Sequence, residues 1–226
     1  MLPRETLATA QIPDGGELTL VSHGRDFIIM LGRDELMGTR MQYSEEQLAL
    51  LTLKELDKPA PRVLIGGYGM GFTFRAALTG VGENGEVVVA EIVPEVLEWA
   101  EGALAELTGD CLKDPRGEVV LCDVAALIDD ANDGTCGKFD AILLDVDNGP
   151  DGIVRDPNDR LYTRTGIAKA KDALNPGGIL AIWSAAPDHK FTRRLMDGGF
   201  EVEVREVRAR PNNKGPRHTI WFARKR

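Results

Sequence analysis

The chain has 226 residues, 43% of them apolar, enough for one α/β domain with a sizeable core and a small appendage. Its net charge of −9, from 36 acidic against 27 basic side chains, argues against nucleic acid or an anionic membrane as main partner and suits a small cationic one. No apolar run reaches the length of a membrane span and no basic-then-apolar leader opens the chain; three cysteines without C-x-x-C spacing fit a reducing cytoplasm.

Glu17–Val21 and Phe27–Leu31 alternate across His23-Gly24 as a β-hairpin, and Glu35–Met41 offers a third strand. Leu48, Leu51 and Leu56 keep helical spacing behind Ser44, an expected N-cap with Gln47 three residues on, so a helix is predicted over Tyr43–Leu56. Lys58-Pro-Ala-Pro61 marks a boundary: residues 1–58 form a short β segment with a linking helix, residues 59–226 the main domain. There the strand Val63–Ile65 empties into Gly66, Gly67, Gly69 and Gly71, and a helix-compatible segment follows. Strands Glu86–Ala90, Glu118–Leu121 and Phe139–Leu144 end at Glu91, Cys122-Asp123 and Asp145; Ile179–Trp183 follows the stop Asn175-Pro-Gly-Gly178. Strand and helix patterns alternate to Met196, which implies a parallel sheet with right-handed crossovers. Phe200–Val207 and His218–Ala223 read as a closing antiparallel hairpin. The expectation is an α/β, Rossmann-like, seven-stranded sheet behind a small N-terminal β-hairpin segment.

A glycine turn between a parallel strand and a helix N-terminus is where α/β sheets bind nucleotides. The spacing here is G-x-G-x-G, not the dinucleotide G-x-G-x-x-G, and no P-loop is present. With acids ending strands two, three and four, the pattern describes a site for S-adenosylmethionine (SAM) or its decarboxylated form. Glu91, followed by Ile92, would accept from the ribose hydroxyls. Asp123, followed by Val124, would read the adenine amino group or cap the helix Val124–Ile128, and Asp145 would hold the amino end of the donor. Asp147 to Asp159 is the one long loop, and it lies beside the proposed donor; Asp147 and Asn148 are acceptor contacts or turn formers with Gly149. His23, His189 and His218 lack ligand spacing, so no metal is expected.

As a set these motifs resemble the spermidine synthases and their relatives, whose sheet is of the class I methyltransferase kind, over roughly Glu17–Trp183. Val63-Leu-Ile-Gly-Gly-Tyr-Gly-Met-Gly71 is similar to their V-L-I-x-G-G-G-D-G-G, and Val88-Val-Ala-Glu-Ile92 to their strand ending in Glu-Ile-Asp. Tyr43-Ser-Glu45 resembles Y-H-E; Phe139-Asp-Ala-Ile-Leu-Leu-Asp145, Leu161-Tyr162 and Leu174-Asn-Pro-Gly-Gly-Ile179 follow Y-D-x-I-x-x-D, L-F/Y and L-x-P-G-G-I. The resemblance implies catalysis by Asp145, Asp147 and Tyr43, acceptor contacts from Asn148, Tyr162 and Trp183, and a small, amine-bearing acceptor. It also admits a homodimer. Three positions depart from the family: Met70 replaces the glycine-loop acid, Ser44 the histidine of Y-H-E, and Asn148 the second acid of D-x-x-D. Those departures point first to methyl transfer from SAM; aminopropyl transfer from decarboxylated SAM is the second reading, and a non-catalytic SAM-binding protein the third.

Overall fold

In the computed structural model, which describes residues 3–13, 15–146 and 159–226, the alternation before position 40 yields a four-stranded antiparallel sheet. Its strands are β1 (Glu5–Gln11), β2 (Glu17–His23), β3 (Asp26–Leu31) and β4 (Asp34–Gly38), hydrogen-bonded in that order. Strand β1 has no counterpart in the expected elements. It is an edge strand that buries only Ala10, so almost no apolar alternation marks it. Helix α1 spans Tyr43–Leu56 as expected, but Gln42 stands at its N-cap without a side-chain cap. Ser44 is no cap: it lies inside the first turn, fully buried, and its hydroxyl faces His218.

The remaining elements are β5 (Arg62–Gly66), α2 (Phe72–Gly80), β6 (Glu86–Glu91), α3 (Pro94–Glu101), α4 (Ala105–Thr108), β7 (Gly117–Leu121), α5 (Val124–Asp133) and β8 (Phe139–Leu144). They continue with α6 (Asp159–Tyr162), α7 (Arg164–Ala173), β9 (Leu174–Ser184), α8 (His189–Asp197), β10 (Phe200–Arg210) and β11 (Lys214–Lys225). The second sheet is seven-stranded, in the order β10-β11-β9-β8-β5-β6-β7, with β5 to β9 parallel and β11 and β10 antiparallel. This is the expected Rossmann-like architecture. Strand β5 is apolar on both faces because helices cover both. Val63 and Ile65 join Leu48 of α1 and Phe72 and Phe74 of α2 in one core, which also takes in Leu20 and Ile29 of the N-terminal sheet. Leu64 faces the other core, with Ile128, Ile167 and Phe191 of α5, α7 and α8. Among the described residues, no helix is long and apolar enough to cross a membrane.

The amino end of β8 is held by a buried charge. Asp140, 5% exposed, accepts from Lys58 Nζ at 2.7 Å, Arg62 N at 2.9 Å and Asn175 Nδ2 at 2.7 Å. It thereby ties the linker, β5 and the start of β9 together. Burial alone would raise its carboxyl, but these donors hold it below the usual carboxylate range. Five residues of strand, roughly 16 Å, separate it from the carboxyl edge of the sheet. Asp140→Ala is therefore expected to cost about 2–3 kcal/mol in urea unfolding by orphaning buried donors, while leaving ligand affinity at that edge unchanged. Equal stability would mean that the three contacts do not hold the linker.

Candidate active site

The order of the large sheet splits at β5: the chain crosses first to β6 and later returns to β8 on the other side. Open α/β sheets form their ligand crevice at such a point. Here Gly67 N donates to Ala90 O at 2.9 Å, and Asp145 N donates to Gly66 O at 3.1 Å, so the glycine loop is sewn to both neighbouring strand ends. Gly67 has φ +88°, and a Cβ there would stand 2.8 Å from Asp145 O. At Gly69, φ +55°, a Cβ would meet Met37 Sδ at 2.7 Å, because β4 of the small sheet rests on the loop. Both positions need glycine for backbone sign and for space.

A cavity of about 240 Å³ opens above this loop. Of the candidate site residues, the structure brings Gly67, Gly69, Glu91, Ile92, Asp123, Val124, Asp145 and Trp183 to its wall. Ile12, Leu18, Ile29, Leu31, Leu36 and Met37 of the small sheet roof it with apolar surface. Gly66 ends β5 and Gly71 caps α2 with φ +73°; both shape the loop from behind without lining the cavity.

Each acid has a distinct state. Glu91 accepts Tyr68 N on Oε2 at 2.9 Å, and Ile92 N and Val93 N on Oε1 at 2.8 and 2.9 Å, so it braces the loop as well as facing the cavity. Asp123 caps α5 through Ala125 N at 2.8 Å, while its other oxygen is ion-paired to Arg160. Both of its expected roles thus compete for one carboxylate. Asp145 accepts on Oδ2 from the Thr73 hydroxyl of α2, and burial, partly opposed by that bond, pushes its pKa up to about 6.

Several expected site residues stand elsewhere. Tyr43 is half-buried at the start of α1 and does not line the cavity. Tyr162 is buried on the opposite face of the sheet, edge-on to Phe191, with its hydroxyl donating to Val146 O at 3.4 Å. Its ring packs in that core. Asp147 and Asn148 lie outside the described residues, as does most of their loop. Met70 is fully buried among the core residues of the α2 face and does not reach the cavity. Glu45 was missed as a site residue. It stands on the cavity wall, 6% exposed, beside Ser44, and only the motif Tyr43-Ser-Glu45 marked its place. Among the described residues no group of three His, Cys, Asp or Glu side chains could hold a metal ion.

The model of the spermine/spermidine synthase domain matches residues 43–195. The polyamine aminopropyltransferase of Mycobacterium tuberculosis is 29% identical over 175 residues, 76% of this chain and 31% of that protein. The Saccharolobus islandicus protein of the same name is 33% identical over 135 residues, 60% of this chain and 42% of that protein. The aligned part thus spans about a third to two fifths of these relatives. The crystal structure of spermidine synthase from Thermotoga maritima superposes with a TM-score of 0.76 at 21% identity, covering 98% of this chain and 73% of that one. A probable spermidine synthase from Corynebacterium glutamicum gives 0.66 at 15% identity, covering 98% and 80%. These two share the fold.

The acids generate two predictions. Between about pH 4 and pH 6 native Asp145 keeps a proton that the unfolded chain has released, so the ligand-free protein should lose up to about 3 kcal/mol of stability as pH rises through that window. Asp145→Asn should flatten the profile and raise the melting temperature at pH 8; an unchanged profile in a folded variant counts against the buried carboxyl. Glu91→Ala should lower both ligand affinity and stability, the latter by about 1–3 kcal/mol, because it frees three buried N–H groups. Lost affinity at full stability in thermal melts would assign Glu91 to the ligand alone.

Proposed function

The chain belongs to the spermine/spermidine synthase family, and on that footing we propose that it transfers an aminopropyl group from decarboxylated SAM to a small amine. The observation that carries this reading is the pair of carboxylates, buried Glu45 and half-buried Asp145, on the wall of the cavity. An apolar roof over two carboxylates that have no cationic partner among the described residues favours a ligand that is apolar along its length and cationic at its end.

The residues present fit such a donor. Glu45 Oε2 is buried without a hydrogen-bond partner among the described residues, which a cation's N–H would supply. Gly67 and Gly69 leave backbone bare beneath the ligand. Ile92, 41% exposed beside Glu91, and Val124 offer apolar faces to a purine, and Glu91 keeps lone pairs for the ribose. Asp123 reads the amino group once Arg160 yields it.

The donor supplies a carbon bonded to positive sulfur and a neutral thioether as leaving group. The cavity orders the two reactants, a contribution worth roughly 7–11 kcal/mol in favourable cases. As the acceptor nitrogen bonds to that carbon, the C–S electron pair goes to sulfur and the nitrogen sheds a proton. Asp145, whose pKa of about 6 leaves it ionised near neutrality, attracts the ammonium and takes the proton at Oδ1 or Oδ2. Trp183 walls the transfer end and keeps water out.

Methyl transfer, which the departures at Met70, Ser44 and Asn148 favour in the sequence, is the less supported reading. Its argument at Met70 was a cavity without a charge to repel a donor carboxylate. Met70 points into the core, and Glu45 supplies a buried carboxylate instead. The relatives' names also back aminopropyl transfer better. The three free cysteines support a reducing, cytoplasmic setting.

The test is turnover of decarboxylated SAM with a primary diamine, followed by release of the thioether nucleoside. In the free enzyme kcat/KM should fall as pH drops below about 6 and Asp145 takes up its proton. Asp145→Asn should reduce turnover by about 100-fold or more. A methylated acceptor formed from SAM would restore the methyl reading.

A further inference from the structure

Glu45 was given no role by the sequence, yet it is a buried acid on the cavity wall with an unpartnered oxygen. It sits in the first turn of α1, 6% exposed, on the wall of the cavity. Its Oε2 finds no donor among the described residues. Its backbone carbonyl accepts from the Thr73 hydroxyl at 3.2 Å, the same hydroxyl that donates to Asp145. One α2 side chain therefore holds α1 and the end of β8 in a common register. Burial, then the Asp145 carboxylate, then Glu46 push the Glu45 carboxyl well above its ordinary value. Glu46 is itself raised, by burial against the opposing pull of Arg75. A buried acid without a partner is costly, and a ligand N–H is what the cavity can offer it.

We propose that Glu45 is the specificity-determining residue of the donor site: with Asp145 it clamps the ammonium of the transferred aminopropyl arm and repels the carboxylate that distinguishes SAM from its decarboxylated form. The clamp is built from α1 because the glycine-loop position, Met70, is turned into the core and can supply no charge. Two carboxylates facing one ammonium leave no positive group to neutralise a second, anionic substituent on the same carbon. That substituent would be desolvated beneath Leu36 and Met37 against like charge. The proposal rests on the aminopropyl-transfer reading and names the side chain that sets its donor preference.

Calorimetry decides it, with SAM and decarboxylated SAM titrated separately into the wild type, Glu45→Gln and Glu45→Asp at pH 8. The wild type should prefer decarboxylated SAM. Glu45→Gln, which keeps shape but not charge, should lower that preference by about tenfold or more, chiefly by weakening the decarboxylated donor and admitting SAM. Glu45→Asp, charged but shorter, should retain part of the preference. A purely structural role would weaken both donors alike and leave their ratio unmoved, and that result in folded Glu45→Gln overturns the proposal while the transfer reading stands. A wild type that prefers SAM, or binds neither donor, overturns the transfer reading and the proposal with it. The pH dependence of the wild-type ratio gives a second readout free of substitution. It should fall as Glu45 and Asp145 take up protons, and a ratio constant down to pH 5 counts against the clamp.

Discussion

Everything at the carboxyl edge of the large sheet depends on how the ends of β5 and β8 meet. Gly67 gives its N–H to β6 while Gly66 receives the N–H of Asp145, so the loop has no freedom to drift from either neighbour. That crossing puts a carboxylate at the centre of the sheet edge, where water is scarce. A Cβ at Gly67 would strike the Asp145 carbonyl, so the crossing exists only because the residue is glycine. Thr73 then extends the arrangement. From the first turn of α2 it reaches Asp145 and the Glu45 carbonyl, tying two helices to one strand end.

The cost of this geometry is electrostatic. Two acids are withdrawn from water, with the Thr73 hydroxyl serving the Asp145 carboxylate but only the backbone carbonyl of Glu45, and both are pushed toward their neutral forms. A protein built for stability alone would not keep them. The apolar roof of the N-terminal sheet makes the cost larger, since Ile29, Leu36 and Met37 exclude the water that would screen the charges. The same exclusion strengthens attraction to an entering cation. Destabilisation of the empty site and affinity for a cationic ligand thus have one physical origin.

The parallel sheet was legible because its central strands are apolar on both faces and its strand ends carry punctuation: glycines after Ile65, acids at Glu91, Asp123 and Asp145, and Asn175-Pro-Gly-Gly178, which opens the last parallel strand instead of preceding it. Strand β1 was not, since an exposed edge strand carries little period-2 signal. Nor was the N-cap of α1. Ser44 has the right residue type and Gln47 the right spacing, but the imidazole of His218, 174 positions away, lies 2.8 Å from its hydroxyl. Met70 shows a related limit: a residue's place in a glycine loop does not say which way its side chain turns. Glu45 could be located by its motif but not assigned a role, because its burial depends on α2, β8 and the small sheet together.

Distant chain segments set the floor and walls of this cavity. Strand β11 pairs antiparallel with β9, which puts His218 edge-on to Trp183 with ring centroids 4.7 Å apart. Trp183 Nε1 donates to Ser44 Oγ at 3.2 Å, and burial keeps His218 below the ordinary histidine value, so a neutral Nδ1 can accept a hydrogen bond from the serine hydroxyl. The three side chains satisfy one another and fix the first turn of α1 against the end of β9. Glu45 follows Ser44 directly, so its direction is set by that contact as much as by its own helix. The imidazole that this family carries beside its tyrosine is absent from α1, yet one stands within hydrogen-bond reach of the serine that replaces it, delivered by the C-terminal hairpin. A small hydroxyl at position 44 and a ring from β11 pack against each other there, and the neighbouring Glu45 carboxylate lies on the cavity wall.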